Sequence, residues 1–212
     1  MTALIACGLK REAAIIETCW AGVDAVPGGG DSARLERMLE ARAGRASALF
    51  SIGIAGALDP VLRPGDVVID GDSALLAIAR AACPGVLAGT IGGSDAIIAS
   101  PSAKAVLRAR TGAIATDMES HVAARVAARR GLPFLAIRAI SDTADESLPP
   151  AALVGMAPDG GLALGAVLLS LVRYPAQLPA LLRLGRNTGL ALGRLAAVLE
   201  RLDHRSASGP AL

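Results

Sequence analysis

An α/β fold follows from three observations on this chain of 212 residues. Short apolar runs alternate with helical segments from Ala3 to Ile140, a pattern that builds a mostly parallel or mixed central sheet with helices on both faces. Glycine and proline stand between the runs instead of gathering into a linker, and no repeat period appears, so a single domain is expected. Residues of the AVILMFWYC set make up 53% but aromatics only 2%, which predicts one ample core packed by Ala, Leu, Val and Ile. Residues 1–150 are assigned to this domain, and 151–212 to a C-terminal helical extension packed on it or facing a membrane.

The elements follow in order. Ala3 to Cys7 reads as a short buried strand, then Gly8 and a helix from Lys10 to Cys19. Val23 to Val26 is a second strand, ended by Pro27 and Gly28 to Gly30. Asp31 or Ser32 caps a helix carrying Leu35, Met38 and Leu39, spaced by three and four. Ala48 to Ile52 is a strand closed by a small-residue turn, Gly53 to Gly56, and Asp66 to Ile69 is another after the turn Arg63-Pro64-Gly65. Ser73 to Ala82 is a helix and Val86 to Ile91 a strand. Ser100-Pro101 opens a helix to Arg110, with proline at its first position. Ala113 to Ala115 and Phe134 to Ile140 are further strands around the helix Glu119 to Arg130.

Several function classes lose support. A net charge of +2 with scattered basic residues gives nucleic acid no electrostatic footprint. Cys7, Cys19 and Cys83 are odd in number and lack CxxC spacing, which fits buried thiols in a reducing, cytoplasmic setting. The N-terminal apolar run is too short for a signal peptide. The uncharged stretch Gly160 to Val172 falls short of the roughly 20 residues a bilayer span needs. His121 and His204 have no partner at ligand spacing, so no metal is expected. Neither GxSxG nor GxGxxG occurs, which leaves a serine-hydrolase elbow and a dinucleotide site unsupported.

The stretch Ala113 to Asp142 carries the chemistry. Two apolar runs end in carboxylates, Asp117 and Glu119 after the first and Asp142 after the second. Carboxyl ends of neighbouring strands in an open sheet face one crevice, so these acids should converge on one pocket. Glu119 could accept bonds from two vicinal hydroxyls. Asp142, ending a nearly buried strand, could have a raised pKa suited to proton donation. Each acid also has a plainer reading: Glu119 as a first-turn helix charge, Asp142 as a turn or cap residue, and Glu12 as a helix-entry charge.

The chain resembles the nucleoside phosphorylase and nucleosidase superfamily in GLKREAA (Gly8 to Ala14), GIAGALDPVLRPGDVVI (Gly53 to Ile69), GSDAII (Gly93 to Ile98), ATDMES (Ala115 to Ser120) and AIRAISDTAD (Ala136 to Asp145). Its compact length and the tail after Leu148 are most similar to the hopanoid-associated branch, which cleaves adenosylhopane and releases adenine. The resemblance implies that Glu119 holds the ribose 2′ and 3′ hydroxyls while Met118 packs against the sugar. Asp142 would serve purine N7, and Glu12 would activate water. Ile97 and Ile98 would meet the base, with Ser141, Ala55 and Gly56 completing the substrate contacts. No cofactor is implied, only water or phosphate as co-substrate, and relatives are commonly homo-oligomers.

Three departures bear on substrate and nucleophile. Ile97 stands where many relatives stack an aromatic on the base. Where phosphorolytic relatives place an Arg and a Ser around phosphate, the glycine turn here carries Ser51 and Ile54, and neither supplies a cation. The segment between Ile69 and Gly89 is short, which removes the usual lid over the 5′ side and makes room for a lipid substituent. Glu12 favours water, while Lys10 and Arg11 could offset its repulsion of phosphate, so hydrolysis and phosphorolysis both stay open. After Gly161 the chain is rich in Leu, with Arg183 and Arg186 three apart and Arg194 and Arg201 seven apart. Such a basic amphipathic helix lies in a bilayer interface or packs on the domain or a dimer partner. The expected location is cytoplasmic, with the inner membrane surface as a peripheral site. The competing readings are a methylthioadenosine or adenosylhomocysteine nucleosidase and a non-catalytic purine-binding protein.

Overall fold

The computed structural model describes residues 2–155, 157 and 159–206, with side chains to residue 203. His204, considered above as a ligand, lies outside the described side chains. The α/β fold is present, with a mixed sheet of eight strands. The elements are β1 (Thr2–Cys7), α1 (Lys10–Cys19), β2 (Asp24–Pro27), α2 (Ser32–Ala43), β3 (Ala46–Ala57), β4 (Val67–Gly71), α3 (Ser73–Ala82), β5 (Leu87–Ala88) and β6 (Ile91–Gly93). There follow α4 (Pro101–Thr111), β7 (Ala115–Asp117), α5 (Ser120–Arg130), β8 (Phe134–Asp142), α6 (Pro150–Leu153), α7 (Leu164–Arg173) and α8 (Leu178–Ser206).

The strand order is β2-β1-β3-β8-β4-β5, with β7 on β3 and β6 on β7. Alternation in β1 and β3 sends side chains to opposite faces. Ile5, Phe50, Ile52 and Ile137 enter one apolar cluster, and Leu4 and Leu49 enter another with Val122 and Val126 of α5. Phe50 meets Trp20 edge-on at 5.1 Å, one of the few aromatic contacts such a composition permits.

Two expectations change here. Gly53 to Gly56 is not a turn. β3 runs on through it, because Gly53 pairs with Arg138, Ile54 with Ala139 and Ala55 with Ile140 in a parallel ladder with β8. The ladder then skips Ser141, and Gly56 faces Asp142. That bulge is of the sort that re-aims a side chain beside a site. The expected strand Val86 to Ile91 divides at Gly89 and Thr90, with Leu87–Ala88 pairing β4 and Ile91–Gly93 pairing β7.

The extension after Leu148 has two characters. Ala191, Leu195, Leu199 and Leu202 of α8 sit inside the cluster that holds Ile5 and Ile137. By contrast α7 has no buried residue although it is largely Leu and Val. The axes of α7 and the segment from Pro175 to Asp203 meet at 114°. Among the described residues no single helix is long and apolar enough to cross a membrane.

Candidate active site

The acids converge, but by a different route from the one expected. β7 and β8 are not neighbours, because β3 lies between them. β7 runs antiparallel to β3 with Thr116 opposite Gly56, while β8 places Asp142 opposite the same glycine from the other side. Asp117 and Glu119 thus arrive beside Asp142 where three strands meet.

A cavity of about 760 Å³ opens there. Glu12, Ala55, Gly56, Ile97, Ile98, Met118, Glu119, Ser141 and Asp142 all line it. Glu12, Glu119 and Asp142 are 2%, 6% and 5% exposed, so each acid is nearly dry and must be satisfied by the protein.

Arg138, fully buried, supplies much of that satisfaction, and the sequence reading gave it no role. Its Nη2 donates to Ser51 Oγ at 2.6 Å and pairs with Asp117, with Glu119 Oε2 at 3.4 Å. Ser120 Oγ also donates to Asp117. The other terminal nitrogen, Nη1, has no hydrogen-bond partner. A cation inside the apolar run of β8 was itself a signal, since a buried guanidinium requires a carboxylate.

Glu12 is fixed by backbone donors: Gly8 N and Leu9 N reach Oε2, and Ile54 N reaches Oε1, each at 2.8 Å. Burial still pushes its carboxyl above the ordinary range, outweighing Arg138 and these three donors. Glu119 is pushed up to about 8, chiefly by burial, with Arg138 opposing and the Asp117 and Glu12 charges adding to the rise. One guanidinium facing three carboxylates cannot neutralise them all, so Glu119 keeps its proton near neutrality.

Gly53 and Gly56 are required by these approaches. A Cβ on Gly53 would sit 2.6 Å from Glu12 Oε1 and also against Arg138 Nη1. One on Gly56 would lie 3.0 Å from Asp142 Oδ2. The glycines read as turn formers are clearance for side chains.

Asp142 was expected as an acid ending a nearly buried strand, with no partner named for it. Instead Lys104 Nζ of α4 lies 2.5 Å from its Oδ2, with the lysine side chain 1% exposed. Ser141 Oγ donates to Oδ1 at 2.9 Å and to Ala55 O at 3.2 Å. Nothing in the pattern of α4 marks Lys104, because its partner lies 38 residues away. Among the described residues no group of three His, Cys, Asp or Glu is arranged for a metal ion. Burial pushes the Cys7 thiol far up, leaving it a core side chain.

From the acids the cavity continues between apolar walls. Leu148 and Ala151 form one side, Leu162 and Val167 another, and Leu181, Leu184 and Leu192 of α8 a third.

Known proteins share this fold. No curated protein matches the chain by sequence. Solved structures match over nearly the whole length. A Streptococcus pneumoniae MTA/SAH nucleosidase in complex with 8-aminoadenine has a TM-score of 0.69 at 18% identity, covering 96% of this chain and 99% of that one. A Helicobacter pylori MTAN variant with 5′-methylthioadenosine in its active site has 0.67 at 15%, covering 94% and 98%. A Helicobacter pylori futalosine hydrolase mutant has 0.66 at 14%, covering 94% and 99%. The Phosphorylase superfamily profile matches residues 70–173, which include α4, β7, α5, β8 and the acids Glu119 and Asp142. That match takes in just under half of the chain, and the fold over nearly the whole length is the one seen in these nucleosidase structures.

Proposed function

We propose that the chain cleaves the N-ribosidic bond of a purine nucleoside with a large apolar 5′ substituent, adenosylhopane being the best candidate, and releases adenine by hydrolysis. The observation that carries this reading is the continuity of one cavity from three buried acids to a long apolar wall. Positive charge develops on the sugar as the base departs. Glu119 accepts from the ribose hydroxyls and, through its oxygens, stabilises that charge across the ring. Met118 packs on the sugar, Ile97 and Ile98 on the base, and the backbone at Ala55 and Gly56 borders the substrate. Asp142, held by Ser141, directs a proton to N7. Glu12, which lines the cavity, acts as base toward the attacking water. Phosphate is disfavoured there, because the cluster around Arg138 holds three carboxylates.

The apolar wall separates this reading from a small-nucleoside nucleosidase. Adenine release is measured from adenosylhopane, a long-chain 5′-alkyladenosine and methylthioadenosine, with and without phosphate. The long-chain substrates should lead in kcat/KM by about 10-fold or more, each added apolar contact contributing of order 1–3 kcal/mol, and free sugar should form without phosphate. A preference for methylthioadenosine, or a strict phosphate requirement, overturns it. No adenine from any nucleoside leaves the non-catalytic binder.

The same reading gives α7 a bilayer partner with anionic lipid. Leu162, Leu164, Leu168, Leu169, Val172 and Tyr174 are exposed beside the cavity wall formed by Leu162 and Val167. Arg173 and Arg186 are exposed as well. The only acid between Glu146 and Glu200 is Asp159, and it pairs with Lys10. Apolar residues rimmed by arginine match an anionic interface. Sedimentation with phosphatidylglycerol vesicles at low salt should carry the protein down, and the double change Leu168→Ser, Leu169→Ser should release it. A protein that stays in solution, or a dimer covering α7 in light scattering, refutes the bilayer partner.

A further inference from the structure

Lys104 is the one fully buried ammonium beside the proposed acid among the described residues. Its three N–H groups have three acceptors: Asp142 Oδ2 at 2.5 Å, Thr143 O at 2.6 Å and Glu146 O at 3.1 Å. Lys104 and Asp142 form an ion pair, and a carboxylate in such a pair has no proton of its own to give to a departing purine. The nearest transferable proton is the one on Nζ. A second cavity of about 220 Å³ is also lined by Asp142, together with Asp145, Glu146 and Arg183. Asp142 therefore borders both the substrate cavity and this smaller one.

We infer that Lys104 is the proton source behind Asp142, with the small cavity as the route by which it is recharged. This rests on the N-ribosidic reading above. As the C1′–N9 bond breaks, its electron pair passes to the purine. Asp142 gives a proton to N7 and takes one from Nζ, so adenine leaves neutral and Lys104 becomes an amine. Water entering past Asp145 and Glu146 returns the proton after release. Lys104 acts through Asp142, as a positioning and supplying residue.

The test compares Lys104→Arg, which keeps a buried cation but does not give up its proton, with Lys104→Met, which removes the charge. Both should lower kcat for adenine release by roughly 10²-fold or more, the scale of general acid catalysis, with KM little changed. Cleavage of 4-nitrophenyl riboside, whose leaving group needs no proton, should stay within about 3-fold of wild type. Wild-type rates on adenosine nucleosides in Lys104→Arg, or an equal loss on both substrates, overturn the inference. Calorimetry supplies a readout independent of turnover. The full-length protein should bind adenine more tightly than 7-deazaadenine, which lacks the N7 acceptor, and Lys104→Arg should abolish the difference. A difference that survives in the folded variant overturns the inference even if the wild type cleaves nothing, a result that would count against the N-ribosidic reading by itself.

Discussion

Thr116 and Asp142 stand opposite a single residue, Gly56, from the two sides of β3. The hydroxyl-binding and base-binding halves of the proposed site therefore share one backbone position. Gly56→Ala introduces a Cβ 3.0 Å from Asp142 Oδ2 and 3.4 Å from Oδ1. It should lower turnover by up to about 10²-fold, the effect of a displacement near 1 Å. Circular dichroism should remain that of wild type, and unchanged turnover would show that Asp142 has room to move without cost.

Asp142→Asn keeps the shape of the side chain but passes no proton. Adenine release should fall by about 10²–10⁴-fold. A folded Asn variant with normal turnover removes Asp142 from the chemistry.

Glu119 gives stability a pH dependence of known sign. Its carboxyl rises from 4.5 in an open chain to about 8 in the fold, so between those values the folded protein holds a proton the unfolded chain has lost. The stabilising effect is complete below about 4.5 and is lost as pH rises through 8, with a slope of at most roughly 1.4 kcal/mol per pH unit. Urea unfolding at pH 5, 7 and 9 should show Glu119→Gln gaining on the wild type as pH increases. Glu12, shifted in the same direction, leaves a remnant of the trend in the variant. Parallel curves would show that Glu119 ionises in the fold as freely as in water.

Arg138→Met leaves Asp117, Glu119 and Glu12 without their cation. Removing one partner from a buried charge cluster costs about 3–5 kcal/mol. The loss should be greatest at alkaline pH and shrink at pH 5, where the carboxyls shifted upward regain protons. Thermal unfolding across that range is the measurement, and a pH-independent loss would mean packing alone is at stake.

Leu195→Ala and Leu168→Ala separate the two halves of the extension. Leu195 has no exposed surface and Leu168 is 62% exposed. The first should cost about 2–5 kcal/mol, and the second less than about 0.5 kcal/mol, both read by urea unfolding.

Much of the fold was legible because local chemistry and tertiary packing agree. Lys10–Cys19 and Ser73–Ala82 match the predicted helices at both ends. α4 begins where Ser100 and Pro101 indicated, with Ser100 Oγ accepting from Ala103 N. Gly53 to Gly56 misled because small residues serve a tight turn and a crowded strand equally well. Which one applies depends on Arg138 and Asp142, more than 80 residues downstream. The nine proposed site residues share one cavity, yet the cations between the acids were missed. Arg138 left a trace as a charge in an apolar run, whereas Lys104 left none, its three acceptors all lying in the distant segment from Asp142 to Glu146.

Of the described elements β1 is translated first and α8 last, yet Ile5 and Leu199 belong to one cluster. While the ribosome still holds α8, Ile52 and Ile137 lack their cover. The nascent chain must wait, aggregation-prone, for this helix to emerge. Stopping synthesis ahead of Leu195 should thus yield insoluble protein and no smaller working enzyme.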